Sequence, residues 1–516
     1  MEELKKVLLE EIVEFNKVGH KYLNGEITKA AFKKASGGMG VYAHRKGDEF
    51  MIRLRTLSGV ISKDELKLIY SFSEKYKLPS IHLTTRQAIQ LHGLNIDEIC
   101  EVMKDALEND IYTRGAGGNF PRNVAISPLS GVEKGESFDV TPYALAVNEH
   151  FLRKINTYKL PRKLKVSFSN NNDDLSHATV VDQGFIAVNQ DGNEFFNVYI
   201  GGGLGRNPKL AVLAEELVHP KDVLYHVEAI TRLFISEGDY NNPAKARIRY
   251  ILDRMGEEEF IKCYKHHLAE VKKEESLDLT VKAIEVNKEG QESNIGHPRL
   301  FPQKQKGLYS VYFHPIGGQL KRETLKDLID EIENIDEVQV RLSMTEGVFI
   351  RNLNTTEAER ILKLTQGIGG ENRIEQSVAC IGVPTCQIGA LNGQGTLKEI
   401  IDTFRTEGIT KDILPRVHIS GCHNSCGVHE IGEIGFSGKL KKVDNESLNV
   451  FEVHIGGALG VGKTKLGKYY GDIPQKEVSS FLLDIAKKIE SGNLDFYEWL
   501  DNKEEELNVI FEKYSV

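Results

Sequence analysis

The chain has 516 residues, of which 40% are hydrophobic and 27% charged, with a formal net charge of −9. The composition is that of an ordinary globular protein and the length implies several domains. The acidic balance argues against bulk nucleic-acid binding, and no apolar run approaches the ~20 residues that would make a membrane partner of it. The chain is therefore expected to be cytoplasmic, where clustered thiols hold metal more often than they form disulfides.

In chain order, the N-terminus is charged and amphipathic, with Leu4, Val7, Leu8, Ile12 and Phe15 on one face, which predicts a helix rather than a signal peptide. Residues 49–59 read as a strand. A helix follows with Leu66, Ile69, Phe72 and Tyr76 on one face, then a strand-like run over 80–94 and a helix over 96–107. The same order returns later: strand 308–318, a helix with Leu325, Leu328, Ile329 and Ile332, strand 338–353, helix 356–365. Each is a βαββα unit of ferredoxin-like character.

The rest of each copy also matches. Residues 121–131 correspond to 378–389. Leu160-Pro-Arg corresponds to Leu414-Pro-Arg, 254 residues on, and the glycine motif ending at Gly205 to that ending at Gly460, 255 on. The polar stretch from about Lys272 to Pro302 connects the copies. The expected fold is α/β (α+β) and internally duplicated: two ferredoxin-like βαββα halves plus two larger α/β lobes around a pseudo-twofold axis. The expected divisions are an N-terminal helical segment (1–40), half one (41–115), a substrate- and cofactor-binding lobe (116–290), half two (300–368) and a thiol-bearing lobe (369–516).

Four of the six cysteines fall into two short motifs, Cys380-x5-Cys386 and Cys422-x3-Cys426, separated by thirty-five residues. Four thiolates suit an iron–sulfur cluster or zinc, and zinc ribbons favour C-x2-C pairs, which these are not. The other two, Cys100 and Cys263, lie in helix-like apolar patterns and read as core. Copy one has no cysteines at the equivalent places and carries Arg86, Arg122, Arg162, Lys163 and Lys165 in matching segments. Lys163 and Lys165, at i and i+2 on a strand, share a face. Singly, each is an ordinary surface cation; together they suit an anionic ligand, with arginine offering fork-like contacts.

Residues 457–464 fit the P-loop pattern GxxxxGK[ST], yet the repeat partner at Gly201 lacks the Gly-Lys-Thr, and Gly467, Gly471 and Pro474 stand where a helix would be needed. Glycines after a strand still leave backbone N–H groups free to approach an anionic group. His418, His423 and His429, around the last cysteine pair, read as local hydrogen-bonding or core residues. No flavin or nicotinamide motif is visible.

These motifs together resemble the sulfite/nitrite reductase hemoproteins, assimilatory sulfite reductases most of all. The likeness rests on C-x5-C with Gly-Cys-x-Asn-x-Cys-Gly (421–427), Thr85-Arg86-Gln87 with Gln90-x-His92-Gly93, Arg122-Asn123-Val124, Leu160-Pro-Arg-Lys-x-Lys165, and Gly201-Gly-Gly-Leu-Gly205. It runs from about Gly40 to near the C-terminus. The resemblance implies siroheme and a 4Fe–4S cluster ligated by Cys380, Cys386, Cys422 and Cys426, with Cys426 also the axial ligand of the siroheme iron. It implies that Arg86, Arg122, Lys163 and Lys165 face the substrate, and that Arg162, with Arg247 and Arg249, serves siroheme carboxylates. Sulfite-selective members resemble Lys-x-Lys at residues 163–165 and nitrite-selective ones Lys-x-Asn, so sulfite is favoured, with nitrite reduction to ammonia as the alternative. Electrons come from a separate protein, ferredoxin or a flavoprotein reductase. Lys439, Lys441, Lys442, Lys463, Lys465 and Lys468 are candidates for a donor-docking patch.

Overall fold

In the computed structural model, which covers residues 1–516, helix α1 (Glu2–Leu23) buries Leu8, Ile12, Phe15 and Gly19 at helical spacing. Gly19 has no side chain because Ile96 presses on it: a Cβ there would come within 2.1 Å of Ile96 Cγ1. After α2 (Lys29–Gly38) come β1 (Val41–Ala43), β2 (Phe50–Leu54), β3 (Val60–Ile61), α3 (Lys63–Lys75), β4 (Ser80–Leu83), β5 (Ile89–Leu94) and α4 (Ile96–Glu108). Helices α3 and α4 start at capping boxes, Ser62 with Glu65 and Asn95 with Glu98. The run over 80–94 is not one strand but a hairpin, β4 and β5 being antiparallel. Its turn carries Arg86.

The first lobe holds β6 (Ala125–Ile126), α5 (Thr141–Arg153), β7 (Val166–Ser169), β8 (Gln183–Gln190), β9 (Asn193–Ile200), β10 (Val212–Val218), α6 (Val223–Glu237), α7 (Ile248–Met255) and α8 (Glu257–Glu274). Its sheet runs β10-β9-β8-β7-β6, with β6, β7 and β8 parallel and the rest antiparallel. Phe168 and Phe185 stack at 4.4 Å in its core. Residues 275–299 carry no helix or strand.

The second half comprises β11 (Leu300–Pro302), β12 (Tyr309–Phe313), β13 (Gln319–Lys321), α9 (Arg322–Ile332), β14 (Gln339–Leu342), β15 (Val348–Leu353) and α10 (Thr355–Leu364). The two ferredoxin-like sheets exchange strands reciprocally. β13 joins β1-β2-β5-β4, and β3 joins β11-β12-β15-β14, pairing antiparallel with β14. Ile61, Leu66 and Ile81 of one half and Leu325, Leu328 and Val340 of the other line a common apolar core. Each such side chain, fully buried, contributes roughly 1.5–3 kcal/mol.

The second lobe repeats the first: β16 (Val378–Ala379), α11 (Gly393–Thr406), β17 (Val417–Ser420), β18 (Ile434–Val443), β19 (Glu446–Ile455), β20 (Lys468–Pro474) and α12 (Val478–Gly492), then α13 (Phe496–Asn502) and α14 (Glu504–Tyr514). Its sheet order, β16-β17-β18-β19-β20, and its strand directions are those of the first lobe. By contacts the chain divides into two compact units: Met1–Gly203, Lys209–Tyr312 and Leu320–Leu364 form one, and Leu204–Pro208, Phe313–Gln319 and Thr365–Val516 the other.

Strand pairing fixes which residues correspond. Val166 pairs with Gln183 as Val417 pairs with Ile434. Ala125 pairs with Ser167 as Val378 pairs with His418. Cys380 therefore corresponds to Ser127, Cys422 to Asn171 and Cys426 to Leu175. The two Leu-Pro-Arg segments do not coincide in this register, which corrects the sequence alignment: Lys165 has a cationic counterpart, Arg416. The turn after the second strand of each lobe is the same in backbone, with left-handed Asp174 (φ 55°) and His177 (φ 63°) in one and Ser425 (φ 54°) and Val428 (φ 52°) in the other.

Candidate active site

In the first unit, Arg86 sits on a turn fastened by its neighbours. Gln87, fully buried at φ 52°, donates from Nε2 to the carbonyls of Ile126 (2.9 Å) and Leu342 (2.7 Å) and accepts the Ile126 N–H at 2.9 Å. Asn123 Nδ2 donates to the carbonyls of Arg86 and Gln87 at 3.1 and 2.9 Å. Gln90 bridges His82 and His92 at 3.0 and 3.1 Å on the following strand. The Arg86 guanidinium donates to Ser167 Oγ and to the carbonyls of Asn123 and Val166, while its buried Nε has no hydrogen-bond partner. Arg122 donates to the carbonyls of Gly115 (3.1 Å) and Gly118 (2.7 Å). Neutral carbonyls aim both groups without cancelling their charge.

Lys163 and Lys165 flank Leu164, which is fully buried and bridges to Pro121. Regular strand begins only at Val166, yet burial alternates across the three residues, and both lysines are half-buried. Asp182, fully buried, organises this region. It accepts the Lys165 N–H at 2.8 Å and a forked contact from Arg247 at 2.9–3.2 Å.

Arg53, Arg55 and Asp182 belong to the same cluster and were missed in the sequence. Two arginines at i and i+2, one inside the apolar strand Phe50–Leu54 and one just beyond it, were the available signal. Arg53 donates to Ala116 O at 2.7 Å, and Arg55, 1% exposed, to Pro121 O at 3.2 Å with its Nε unpartnered.

These cations repel one another. Burial lowers Arg86 and Arg122 to about 10; Arg247 presses on both, and Arg53 and Arg162 on Arg122. Burial and then Arg122 take Arg55 down to about 9. Burial raises the Tyr42 phenol, but Arg122 and Arg53 outweigh it and leave the group below its ordinary value. Arg162 is lowered by burial and by Arg247. Partly buried cations gathered round one carboxylate need an anion to offset them.

In the second unit, Cys380 follows β16, Cys386 lies in the loop beyond, and Cys422 and Cys426 lie in the turn after β17. None of the four is in a disulfide; Cys426 is exposed and the others half-buried. Gly421 N–H donates to Cys380 Sγ at 3.1 Å and Asn424 Nδ2 to Cys422 Sγ at 3.4 Å. Burial pushes the Cys380 thiol well up, and Cys426 and Cys422 add to it. Cys422 is raised by burial, with Cys426 and Cys386 contributing. Cys380 and Cys422 thus each sense other thiols of the set. No three metal-ligating side chains converge on one ion-sized centre.

The neighbouring histidines are used locally. His418 Nδ1 meets Gly427 O and His429 Nδ1 meets Ser420 Oγ, each at 3.0 Å, and His423 lies 3.3 Å from Glu452. The P-loop-like segment closes as a bridge between Ala458 and Lys465, matched by Gly203 and Lys209 in the first copy, and no helix follows it. Lys439 pairs with Glu452 and Asp472, Lys441 with Asp472, and Lys468 with Glu504, so three of the six docking candidates serve local ion pairs.

Residues 42–109 match the nitrite/sulfite reductase ferredoxin-like half domain, and residues 117–273 the nitrite and sulphite reductase 4Fe-4S domain. The chain is 26% identical over 423 residues to ferredoxin–nitrite reductase of Synechococcus elongatus, covering 80% of each. It is 25% identical over 487 residues to sulfite reductase (ferredoxin) 1 of Mycolicibacterium paratuberculosis, covering 89% of this chain and 83% of that one. Its fold is that of the Mycobacterium tuberculosis NirA protein, with a TM-score of 0.79 at 23% identity over 93% of this chain and 92% of the other. The chain carries two domains of the nitrite and sulphite reductase family. It is an oxidoreductase, and the family's resident cofactors are siroheme and a 4Fe–4S cluster.

The reductase's own residues fit both groups. The segment matched as the 4Fe-4S domain contains one cysteine, Cys263 on α8; the grouped thiols lie in the second copy of that lobe. Four thiols on two neighbouring loops, with N–H donors at two of the sulfurs, suit a polynuclear cationic core. The unpartnered Nε atoms of Arg86 and Arg55, in a cluster with excess positive charge, suit a polycarboxylate and an oxyanion. No helix is long and apolar enough to cross a membrane.

Proposed function

We propose that this reductase carries out the six-electron reduction of sulfite to sulfide, with electrons from a separate ferredoxin. The observation that carries the substrate is the Lys163–Lys165 pair, two half-buried cations across a buried leucine where nitrite-selective relatives resemble Lys-x-Asn. The ferredoxin donor is supported by two relatives that are named for it.

When bound, siroheme and the cluster would supply an iron to bind the substrate and a relay for the ferredoxin's electrons. Cys380, Cys386, Cys422 and Cys426 would hold the cluster, and Cys426 would also serve the siroheme. Arg162, Arg247 and Arg249 would hold siroheme carboxylates. Arg86 and Arg122 bind and orient the oxyanion. With pKa values of about 10 they stay charged at neutral pH, and because carbonyls already fix them they need no reorganisation. Lys163 and Lys165 hold protons at Nζ and release them to the departing oxygens.

A second reading, nitrite reduction to ammonia by the same residues, is favoured by the relatives named ferredoxin–nitrite reductase. Parallel assays with reduced methyl viologen test the choice on anaerobically purified protein. A higher kcat/KM for sulfite is expected; a higher value for nitrite overturns the substrate, and a colourless zinc protein overturns the whole reading.

A further inference from the structure

We propose that Glu430 is a positioning residue: its carboxylate clamps the turn bearing Cys426 to the glycine motif that ends at Gly205. Glu430 is 2% exposed. One carboxylate oxygen accepts the buried Gly205 N–H at 2.6 Å, and the other accepts the hydroxyl of Ser425. Gly205 lies in the segment Leu204–Pro208, which belongs to the same compact unit. The Glu430 carbonyl accepts the N–H of Gly467, beyond the second glycine motif, at 2.8 Å. The anionic partner of the first glycine motif is thus a side chain of the protein itself.

Ser425 precedes Cys426 and is left-handed at φ 54°, as is Val428 at φ 52°. Non-glycine residues keep such conformations only where their surroundings hold them. In the first lobe Asp174 performs this task within its own turn, through the N–H groups of Ala178 and Thr179. In the second lobe the carboxylate has moved to Glu430, five residues beyond Ser425 as Thr179 is beyond Asp174, and it also reaches Gly205. Outer hydrogen bonds of this kind orient metal ligands, and their loss costs about 10–100-fold in affinity or activity.

The inference rests on the assignment of Cys426 as a cofactor ligand. The test compares full-length wild type, Glu430→Ala, Glu430→Gln and Ser425→Ala. In Glu430→Ala, iron release to a chelator is expected to rise by about tenfold and the visible spectrum to change, with KM for the anion within about twofold. Glu430→Gln keeps an acceptor for Gly205 and a partner for Ser425, and is expected to restore iron retention and spectrum. Wild-type iron release and spectrum in Glu430→Ala overturn the proposal, as does a Glu430→Gln variant as impaired as the alanine. Should Glu430→Ala not fold, Ser425→Ala decides: faster iron release supports the clamp and wild-type release overturns it. A wild type that carries no siroheme or cluster removes the functional reading alone. The clamp is then read from alkylation of Cys426 in metal-free full-length protein, faster in Glu430→Ala if it exists and unchanged if it does not.

Discussion

Asp174 accepts the hydroxyl of Thr179 at 2.5 Å in the first lobe, and at the equivalent positions of the second lobe the two chemistries have changed places, Ser425 donating to Glu430. The backbone of the turn is the same in both copies. Duplication has kept the conformation and moved the carboxylate from inside the turn to its partner, leaving an exposed leucine, Leu175, in one copy and an exposed thiol, Cys426, in the other.

Asp174 makes the stability of the first lobe depend on pH. Burial lifts its carboxyl from 3.8 to about 6, although hydrogen bonds from Thr179, Ala178 and Ser169 pull the other way. The folded state therefore keeps this proton to higher pH than the unfolded one. Between about pH 4 and pH 6 folding takes up a proton, so stability falls as pH rises, by on the order of 3 kcal/mol for this group. Asp174→Asn should lack that slope. It should also be less stable at every pH, because its amide NH2 faces donors. Denaturation of both proteins across pH 4–7 checks this; parallel curves would refute it.

The thiols should separate into two classes. Serine at Cys380, Cys386, Cys422 or Cys426 removes one of the four grouped thiols and should lower iron content by at least about tenfold. Serine at Cys100, buried on α4, or Cys263, half-buried on α8, should leave iron and visible absorbance unchanged. Iron and acid-labile sulfide assays on the six variants decide; equal losses in both classes would dissolve the distinction.

The duplication was legible because several motifs return in one order, and the thiol pairs and Arg86, Arg122 and Lys165 were legible as candidates because each stands in a short motif. What escaped was written in pairing. The Leu-Pro-Arg segments look equivalent as text, but they precede the strands, and register is set by the ladders that put Val166 opposite Gln183 and Val417 opposite Ile434. The exchange of β3 and β13 leaves no local mark, since either strand reads the same in its own sheet or its neighbour's. Arg53 and Arg55 were hidden by the apolar strand around them, and Asp182 by a sequence in which nothing marks it as the partner of Arg247.

Asp182→Asn tests that partnership. The buried guanidinium of Arg247 loses its counter-charge, and breaking such a pair costs roughly 3–5 kcal/mol. The Lys165 N–H keeps an acceptor if the amide oxygen turns toward it. The variant should unfold at lower temperature and show a higher KM for the anion, with a smaller change in kcat. An unchanged melting temperature would mean that Arg247 is held by other groups.

Lys165→Asn tests substrate choice. The anchor at this position is the backbone, Lys165 N–H to Asp182 at 2.8 Å, and Leu164 supplies the burial. Replacing the side chain therefore removes a cation while the segment stays in place. A hydrogen bond to a charged group contributes about 1.5–3 kcal/mol, so one cation realised in the transition state for sulfite corresponds to about tenfold or more in rate. The more compact nitrite anion, with one charge and two oxygens, depends on that contact less. The ratio of kcat/KM for sulfite over nitrite should fall by at least about tenfold, mainly through sulfite. Lys163→Asn, which leaves Lys165 in place, shows whether the effect belongs to this position or to net charge. An unchanged ratio in Lys165→Asn would remove the basis for preferring sulfite.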